Sequence, residues 1–167
     1  MAEAQTVQVA IIMGSESDWN TMSRTHQLLK DFDIPHSCRV LSAHRTPKEV
    51  VAFIEEMEVQ GVEVFIAGAG LAAALPGVVA AHTTKPVLGV PLQSGALNGT
   101  DALYSIVQMP PGIPVGTLGI GNAGATNAAL LALSILANTH LELGEKIADY
   151  RRDRAQKVLE TKLPLGE

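Results

Sequence analysis

The chain has 167 residues, a net charge of −5 and a hydrophobic fraction of 47%, which excludes an extended disordered protein and predicts a single domain over residues 1–167. Its acidic balance and lack of a dense basic cluster argue against nucleic acid as a partner, and its apolar runs are shorter than the ~20 residues of a membrane span. No basic leader precedes Val7, so we expect a cytoplasmic protein.

Short apolar runs and helix-period segments alternate along the chain. The runs predict strands, and apolar residues recurring at steps of three and four predict helices. In chain order the predicted elements are a strand over 7–13, a helix over 19–32, a strand over 36–41, a helix from residue 46, a strand over 64–67, an Ala-rich helix after residue 70, a strand over 87–90, a helix ending at 107, a strand over 115–118, and helices over 122–136 and 141–160.

Three elements carry finer predictions. The alternating strand over 36–41 is expected at a sheet edge. Thr46-Pro47-Lys48-Glu49 predicts a helix start with a capping box and proline at the first helical position. The inner face of the helix over 19–32 is predicted to carry Trp19, Met22, His26, Leu29 and Phe32.

The alternation of strands and helices predicts a doubly wound α/β domain with a parallel five-stranded sheet. Its core is expected over 7–137, followed by an extra C-terminal helix over 141–160. The helix over 122–136 is apolar on nearly every side and needs cover on every side. We interpret part of its surface as a subunit interface of a homo-oligomer, with a central core helix as the alternative.

Ligands of open α/β sheets bind at the carboxyl ends of the strands. The loop over 14–18 is a candidate anion cradle there. The alternative is that Ser17 or Asp18 is a simple helix N-cap. The glycines after the third strand match a dinucleotide fingerprint only weakly. Because glycine has no side chain, they indicate instead that a ligand or a helix approaches the backbone there. The residues that follow the predicted strands are Gly14, Ser15, Ser17, Asp18, Ser42, His44, Arg45, Gly68, Gly70, Pro91, Gln93, Ser94, Gly119, Gly121 and Asn122.

His44 is the main candidate for proton transfer. It follows a strand, lies beside Arg45 and close to Ser42, and an imidazole exchanges protons near neutral pH. The permanently charged fork of arginine suits a phosphate or carboxylate. The other histidines, predicted to be packed or solvated, are His26, His36, His82 and His140.

Metal and disulfide chemistry are not predicted. Cys38 is the only cysteine, and we take that count to exclude an internal disulfide and a cysteine-based zinc site. No cluster of Asp, Glu and His at metal-ligand spacing occurs in the sequence, so we expect no metal.

Several motifs occur together in one order. They are Met13-Gly14-Ser15-x-Ser17-Asp18, Ser42-Ala43-His44-Arg45-Thr46-Pro47, Ala67-Gly68-Ala69-Gly70, Leu75-Pro76-Gly77, Pro86-Val87-Leu88-Gly89-Val90-Pro91, Ser105-Ile106-Val107-Gln108-Met109-Pro110 and Ala123-Gly124-Ala125-x-Asn127-Ala128. Over residues 7–137 the chain closely resembles the N5-carboxyaminoimidazole ribonucleotide mutases of microbial purine synthesis. The resemblance implies a flavodoxin-like three-layer sandwich, a homo-octamer, and an isomerisation without cofactor or metal that moves CO₂ from N5 to C4 to give 4-carboxy-5-aminoimidazole ribonucleotide.

The resemblance also implies a role for each matching site residue. Ser15 and Arg45 would hold the 5′-phosphate, and Ser42 would line the pocket. Asp18 would bind the ribose hydroxyls, and His44 would be the general acid/base.

One segment departs from the family pattern. The family usually has Gly-Gly-Ala-Ala-His-Leu-Pro-Gly where this chain has Leu71 in place of a glycine and Ala74 in place of the histidine. The resemblance makes two segments candidates for the pocket walls, the Gly68 to Gly70 backbone and the Met109-Pro110 loop, supplied by the same or a neighbouring subunit. We expect activity to be retained, because the other matching positions are present.

Two alternative functions are compatible with the sequence. A related branch carboxylates aminoimidazole ribonucleotide directly with free CO₂; it resembles Ser-Ala-His-Lys and Ala-Gly-Arg-Ser where this chain has Ser42-Ala43-His44-Arg45 and Ala67-Gly68-Ala69-Gly70, which favours the mutase branch. The other alternative is a non-catalytic flavodoxin-like module that binds a phosphosugar or nucleotide. Flavin binding is disfavoured by the scarcity of aromatic residues.

Overall fold

The computed structural model describes residues 6–163. Residues 1–5 lie outside the described residues, and they make up most of the N-terminal segment in which we predicted no leader. The five strands form one parallel sheet in the order β2-β1-β3-β4-β5, which is the flavodoxin-like order and confirms the predicted doubly wound sheet. The strands are β1 (Val9–Met13), β2 (His36–Val40), β3 (Val64–Ala69), β4 (Val87–Pro91) and β5 (Gly116–Thr117).

Six α-helices connect and cover the sheet within the described residues. A short 3₁₀ turn over Glu16–Asp18 precedes the first of them. The helices are α1 (Trp19–Asp31), α2 (Pro47–Val59), α3 (Leu75–Ala81), α4 (Thr100–Val107), α5 (Asn122–Leu136) and α6 (Glu142–Leu159). None of them is long and apolar enough to cross a membrane.

The strand register brings three strand ends together. Met13, the last residue of β1, is opposite Val40 in β2 and Gly68 in β3. The loops that follow these strands therefore leave the sheet at nearly the same level. β2 pairs with β1 alone, so it is an edge strand as its alternating sequence predicted.

The sheet separates two apolar layers, because successive side chains of a strand point to opposite faces. Ile11 and Ile66 pack in the layer formed with α1, α5 and α6, whereas Ile12 and Phe65 pack in the layer formed with α2, α3 and α4. All four side chains are fully buried. The arrangement is the predicted three-layer sandwich.

Helix α5 is covered largely by its own chain. Ala125, Ala129 and Leu133 are buried in the layer shared with α1, β3 and β4. Of the apolar residues that suggested a subunit interface, Ala123 and Leu131 are exposed. Burial within the chain, as expected for the central core helix of the alternative interpretation, therefore accounts for most of the apolar surface of α5.

Two local predictions are wrong. Thr46 precedes α2 but forms no capping box, because its hydroxyl accepts from the backbone N–H of Ser42 at 2.8 Å and donates to the Ser42 carbonyl at 3.1 Å. On α1, Trp19 is exposed and His26 is half-buried, so neither lies on the inner face as predicted. Thr25 lies there instead, and its buried hydroxyl donates to the Ala125 carbonyl of α5 at 2.8 Å.

Candidate active site

A cavity of about 470 Å³ opens at the carboxyl ends of β1, β2 and β3. The aligned strand ends place the three following loops around it, and Ser94 from the loop after β4 completes one side. The cavity brings together most of the site residues predicted from the sequence. Its lining residues are Gly14, Ser15, Ser17, Asp18, Ser42, Ala43, His44, Arg45, Ala69, Gly70, Leu71, Ala72, Ala73, Ala74, Leu75 and Ser94.

The loop after β1 is held by the carboxylate of Asp18. Its Oδ2 accepts a hydrogen bond from the backbone N–H of Ser15 at 2.9 Å, and it makes no capping bond to α1. Partial burial raises the pKa of Asp18, while backbone hydrogen bonds from Ser15 and Gly14 and the charge of Arg45 act in the opposite direction. The carboxylate thus takes part in a capping box with Ser15 at the 3₁₀ turn and orders the loop at the mouth of the cavity, but it does not cap α1.

Two hydroxyls and a guanidinium supply donors for an anion. The Ser15 and Ser17 hydroxyls are 2.6 Å apart. The Arg45 Nη2 donates to the Gly14 carbonyl at 2.7 Å, which links the loops after β1 and β2. This contact uses one donor of the arginine fork, and its other N–H groups remain available to a bound phosphate.

His44 lies between the residues that fix the loop after β2. Ser42 Oγ accepts a hydrogen bond from the backbone N–H of Arg45 at 3.2 Å, and the Ser42 backbone is bonded to Thr46 on the other side. The imidazole is exposed at the cavity. An exposed histidine on a loop held at both ends can exchange a proton with a bound ligand.

The two predicted glycines differ in role. Gly70 lines the cavity, and a Cβ there would lie 3.0 Å from the Ser94 Cβ, so the glycine allows the loops after β3 and β4 to approach. Gly68 is buried within β3 and does not line the cavity. A Cβ at Gly68 would lie 2.6 Å from the Met22 Sδ, so the glycine makes room for α1, and its role as a pocket wall stays a prediction.

The segment that departs from the family pattern forms the apolar wall of the cavity. Leu71 has a φ of +56°, a conformation that glycine adopts without cost and leucine does not. A Cβ on Gly95 would lie 2.7 Å from the Leu71 Cδ2, so the leucine side chain lies over the loop after β4. Ala74 lies half-buried in the same wall. The alanine-rich sequence after Gly70 is therefore partly loop, and α3 begins only at Leu75.

The Met109-Pro110 loop, predicted as another wall, does not reach this cavity within the chain. A Cβ on Gly77 would lie 3.3 Å from the Met109 Sδ, so this loop packs beside α3. Ser94 does line the cavity. The sequence placed it after a predicted strand, but no motif distinguished it from its neighbours.

Comparison with known proteins identifies close relatives. A family model described as AIR carboxylase matches residues 8–157. The chain is 55% identical over 159 residues to the N5-carboxyaminoimidazole ribonucleotide mutase of Escherichia coli (strain K12), covering 95% of this chain and 94% of the relative. It is 52% identical to that of Saccharolobus solfataricus, with coverages of 93% and 98%. The crystal structure of Treponema denticola PurE superposes with a TM-score of 0.84 at 32% identity, covering 96% and 99% of the two chains.

Proposed function

The chain belongs to the AIR carboxylase family, and on that premise we propose that it converts N5-carboxyaminoimidazole ribonucleotide to 4-carboxy-5-aminoimidazole ribonucleotide. The observation that carries this proposal is one cavity in which Arg45, Asp18 and His44 face an apolar wall. These groups match the phosphate, the ribose hydroxyls and the migrating carboxylate of such a substrate. Identity above 50% with relatives named as mutases selects the reaction.

The reaction is an isomerisation whose atoms balance without a co-reactant. Protonation of the carbamate nitrogen breaks the N–C bond and releases CO₂ and the free amine. Carbon 4 of the electron-rich imidazole then attacks CO₂ and forms the C–C bond, and loss of the proton from that carbon restores the aromatic ring. Because no electrons are gained or lost overall, the proposed reaction requires no redox cofactor.

His44 would carry both proton transfers in turn. One neutral-range imidazole can donate to the carbamate nitrogen and later accept the proton from carbon 4. Arg45 and the hydroxyl of Ser15 would hold the phosphate, and Asp18 would hold the ribose, which fixes the ring beside the imidazole. The apolar wall at Leu71 and Ala74 would keep CO₂ against carbon 4 in a water-poor space.

The direct use of free CO₂ is the competing reaction within the family. The test supplies the purified protein with synthetic N5-carboxyaminoimidazole ribonucleotide without added bicarbonate and follows the C4-carboxylated product by its ultraviolet absorbance. A parallel assay supplies aminoimidazole ribonucleotide with high bicarbonate. A mutase turns over the first mixture efficiently. Turnover of the second mixture alone would make the chain a carboxylase, and ligand binding without turnover of either would favour a binding module.

Replacing Arg45 with lysine is expected to raise KM about 10-fold and to change kcat little, because lysine keeps the positive charge and loses the fork that grips a phosphate. The loss also removes the hydrogen bond to the Gly14 carbonyl that joins the two loops. Steady-state kinetics on N5-carboxyaminoimidazole ribonucleotide measure the effect. Lys48→Arg, at an exposed position on α2 outside the cavity, is the matched control and should leave KM unchanged. An unaltered KM in Arg45→Lys would remove the phosphate role.

We further propose that the single domain assembles as a homo-octamer in the cytoplasm, where its ionised substrate is retained. Exposed apolar side chains support assembly. Leu71 lies at the cavity, and Leu97, Tyr104 and Val107 follow on the adjoining loop and on α4, each about half exposed or more. A neighbouring subunit over this surface would complete the cavity wall.

The assembly is tested by light scattering. The expected molar mass is about eight times the 17.6 kDa of one chain. Tyr104→Lys is expected to give smaller species, because it places a charge on the proposed contact surface. Glu55→Gln, on the exposed side of α2, also changes the net charge by +1 and controls for the change of charge. A monomeric wild-type protein with full activity would contradict the proposal.

A further inference from the structure

A cluster of nitrogen and sulfur atoms joins the edge strand β2 to helix α1, away from the cavity. His36 and Cys38 are two residues apart on β2 and point to the same face, and His26 projects from α1 towards them. The His26 Nδ1 lies 2.8 Å from the His36 Nε2 and 3.9 Å from the Cys38 Sγ. All three ligand-type atoms lie within 4.8 Å of one another.

From this cluster we propose that His26, His36 and Cys38 bind a thiophilic divalent cation of the zinc type, which clamps β2 to α1. One cysteine with two histidines is sufficient for such a site. The proposal therefore departs from the expectation that a single cysteine excludes a cysteine-based zinc site. The spacing also matches no linear metal motif, since the third ligand comes from a different element.

The orientation of His36 favours this role. Its Nδ1 lies 2.6 Å from the Ile34 carbonyl, so the N–H on that nitrogen donates to the backbone and the lone pair is left on Nε2. Metal-binding histidines commonly have one ring nitrogen fixed in this way by a carbonyl. The Trp19 ring packs against His26 with centroids 5.4 Å apart, which limits the rotation of the second imidazole.

The two distances from the His26 Nδ1 are close to those around a coordinated ion. Tetrahedral zinc with Zn–N near 2.0 Å and Zn–S near 2.3 Å separates two nitrogens by about 3.3 Å and a nitrogen from a sulfur by about 3.6 Å. The His26–His36 contact would lengthen by about half an ångström, and the His26–Cys38 contact would shorten slightly. All three residues are half-buried, so a water molecule can reach the fourth position.

Proton movements accompany binding. Burial raises the pKa of the Cys38 thiol to about 11. Because a metal binds the thiolate, binding would displace the thiol proton to solvent. Because the His36 Nε2 carries the lone pair, the His26 Nδ1–H donates to it. On metal binding that proton would be replaced by one on the His26 Nε2.

The proposed ion is structural and not catalytic. His26 lies eight residues beyond Asp18 in sequence, which is about 12 Å along a helix at 1.5 Å per residue. None of the three ligands lines the cavity. The ion would instead hold the outer strand of the sheet, which has hydrogen-bonded neighbours on one side only.

Cobalt(II) titration of the full-length, chelator-treated protein tests the site. Because Cys38 is the only cysteine, a thiolate-to-cobalt charge-transfer band can arise only there. We expect such a band at one equivalent, its displacement by zinc, and a rise in Tm of roughly 5–10 °C when free zinc is 100-fold above its Kd.

Variants separate the site from surface binding. Cys38→Ser should remove the band and the rise in Tm, and His26→Gln, at a position closer to solvent, should weaken binding at least 10-fold while the protein stays folded. His82→Gln replaces an exposed histidine elsewhere and should change neither measurement. Absence of the band in the wild-type protein, or an equal rise in Tm in all variants, would overturn the proposal.

Discussion

Replacing His44 with asparagine is expected to lower kcat by about 10²–10⁴-fold, which is the usual contribution of a positioned general acid/base. Histidine is the commonest general acid/base, and the other polar side chains that line the cavity are hydroxyls, one carboxylate and a permanently charged guanidinium. The amide of asparagine has a similar shape and hydrogen-bonding capacity but cannot exchange a proton. KM should therefore change little, and stopped assays with N5-carboxyaminoimidazole ribonucleotide measure both constants.

The interpretation of this variant depends on an intact fold. His44 is exposed and lies on a loop fixed by Ser42 and Thr46, so its replacement should change the free energy of unfolding by no more than about 0.5 kcal/mol. His82→Asn, an exposed histidine outside the cavity, should keep full activity. If His44→Asn binds the substrate and still turns it over at the wild-type rate, the proton carrier is another group.

A second question is whether His44 alone is sufficient, because Ala74 occupies the position where the family usually has a histidine. The proposed mechanism needs one imidazole, and the position of Ala74 in the apolar wall suits the retention of CO₂. Restoring the histidine in Ala74→His should then leave kcat within a few-fold of the wild type. A large gain from this change would mean that a second proton carrier is missing from the chain.

The sheet and most of the cavity could be predicted from the sequence, because both follow from strong local patterns. The alternation of polar and apolar residues in β2 predicted its place at the edge of the sheet, which the strand order confirms. The loops with Ser15 and His44 meet because parallel strands place their carboxyl ends at one edge of the sheet. In the structure Met13 is paired with Val40 and Gly68, so the ends of these three strands lie at nearly the same level of the sheet.

Features that depend on contacts between distant residues could not be predicted. Gly68 follows the sequence pattern of a ligand-binding glycine, but the side chain of Met22 occupies the space beside it. Thr46 has the sequence of a helix cap, and its hydroxyl bonds the backbone of Ser42 instead. The cluster of His26, His36 and Cys38 likewise forms only when α1 packs on β2.

Gly124→Ala is expected to destabilise the protein by about 3 kcal/mol or more, although the same change inside most helices is stabilising by up to about 1 kcal/mol. Gly124 is the third residue of α5, and a Cβ there would lie 1.6 Å from the Gly119 carbonyl oxygen and 2.6 Å from its carbon. Both atoms belong to the backbone, so a side-chain rotation cannot relieve the overlap, and either α5 or the loop after β5 has to move.

The displacement would affect the most extensive helix contact of the fold. Helix α5 packs along α1, where the buried hydroxyl of Thr25 bonds the carbonyl of Ala125, the residue next to Gly124. Urea unfolding at a fixed protein concentration measures the loss as a lower midpoint. Gly144→Ala is the matched control, because Gly144 is also the third residue of its helix and a Cβ there meets nothing within 4 Å. The control should be as stable as the wild type or more so, and equal midpoints for the two variants would show that backbone contact at Gly119 does not limit this position.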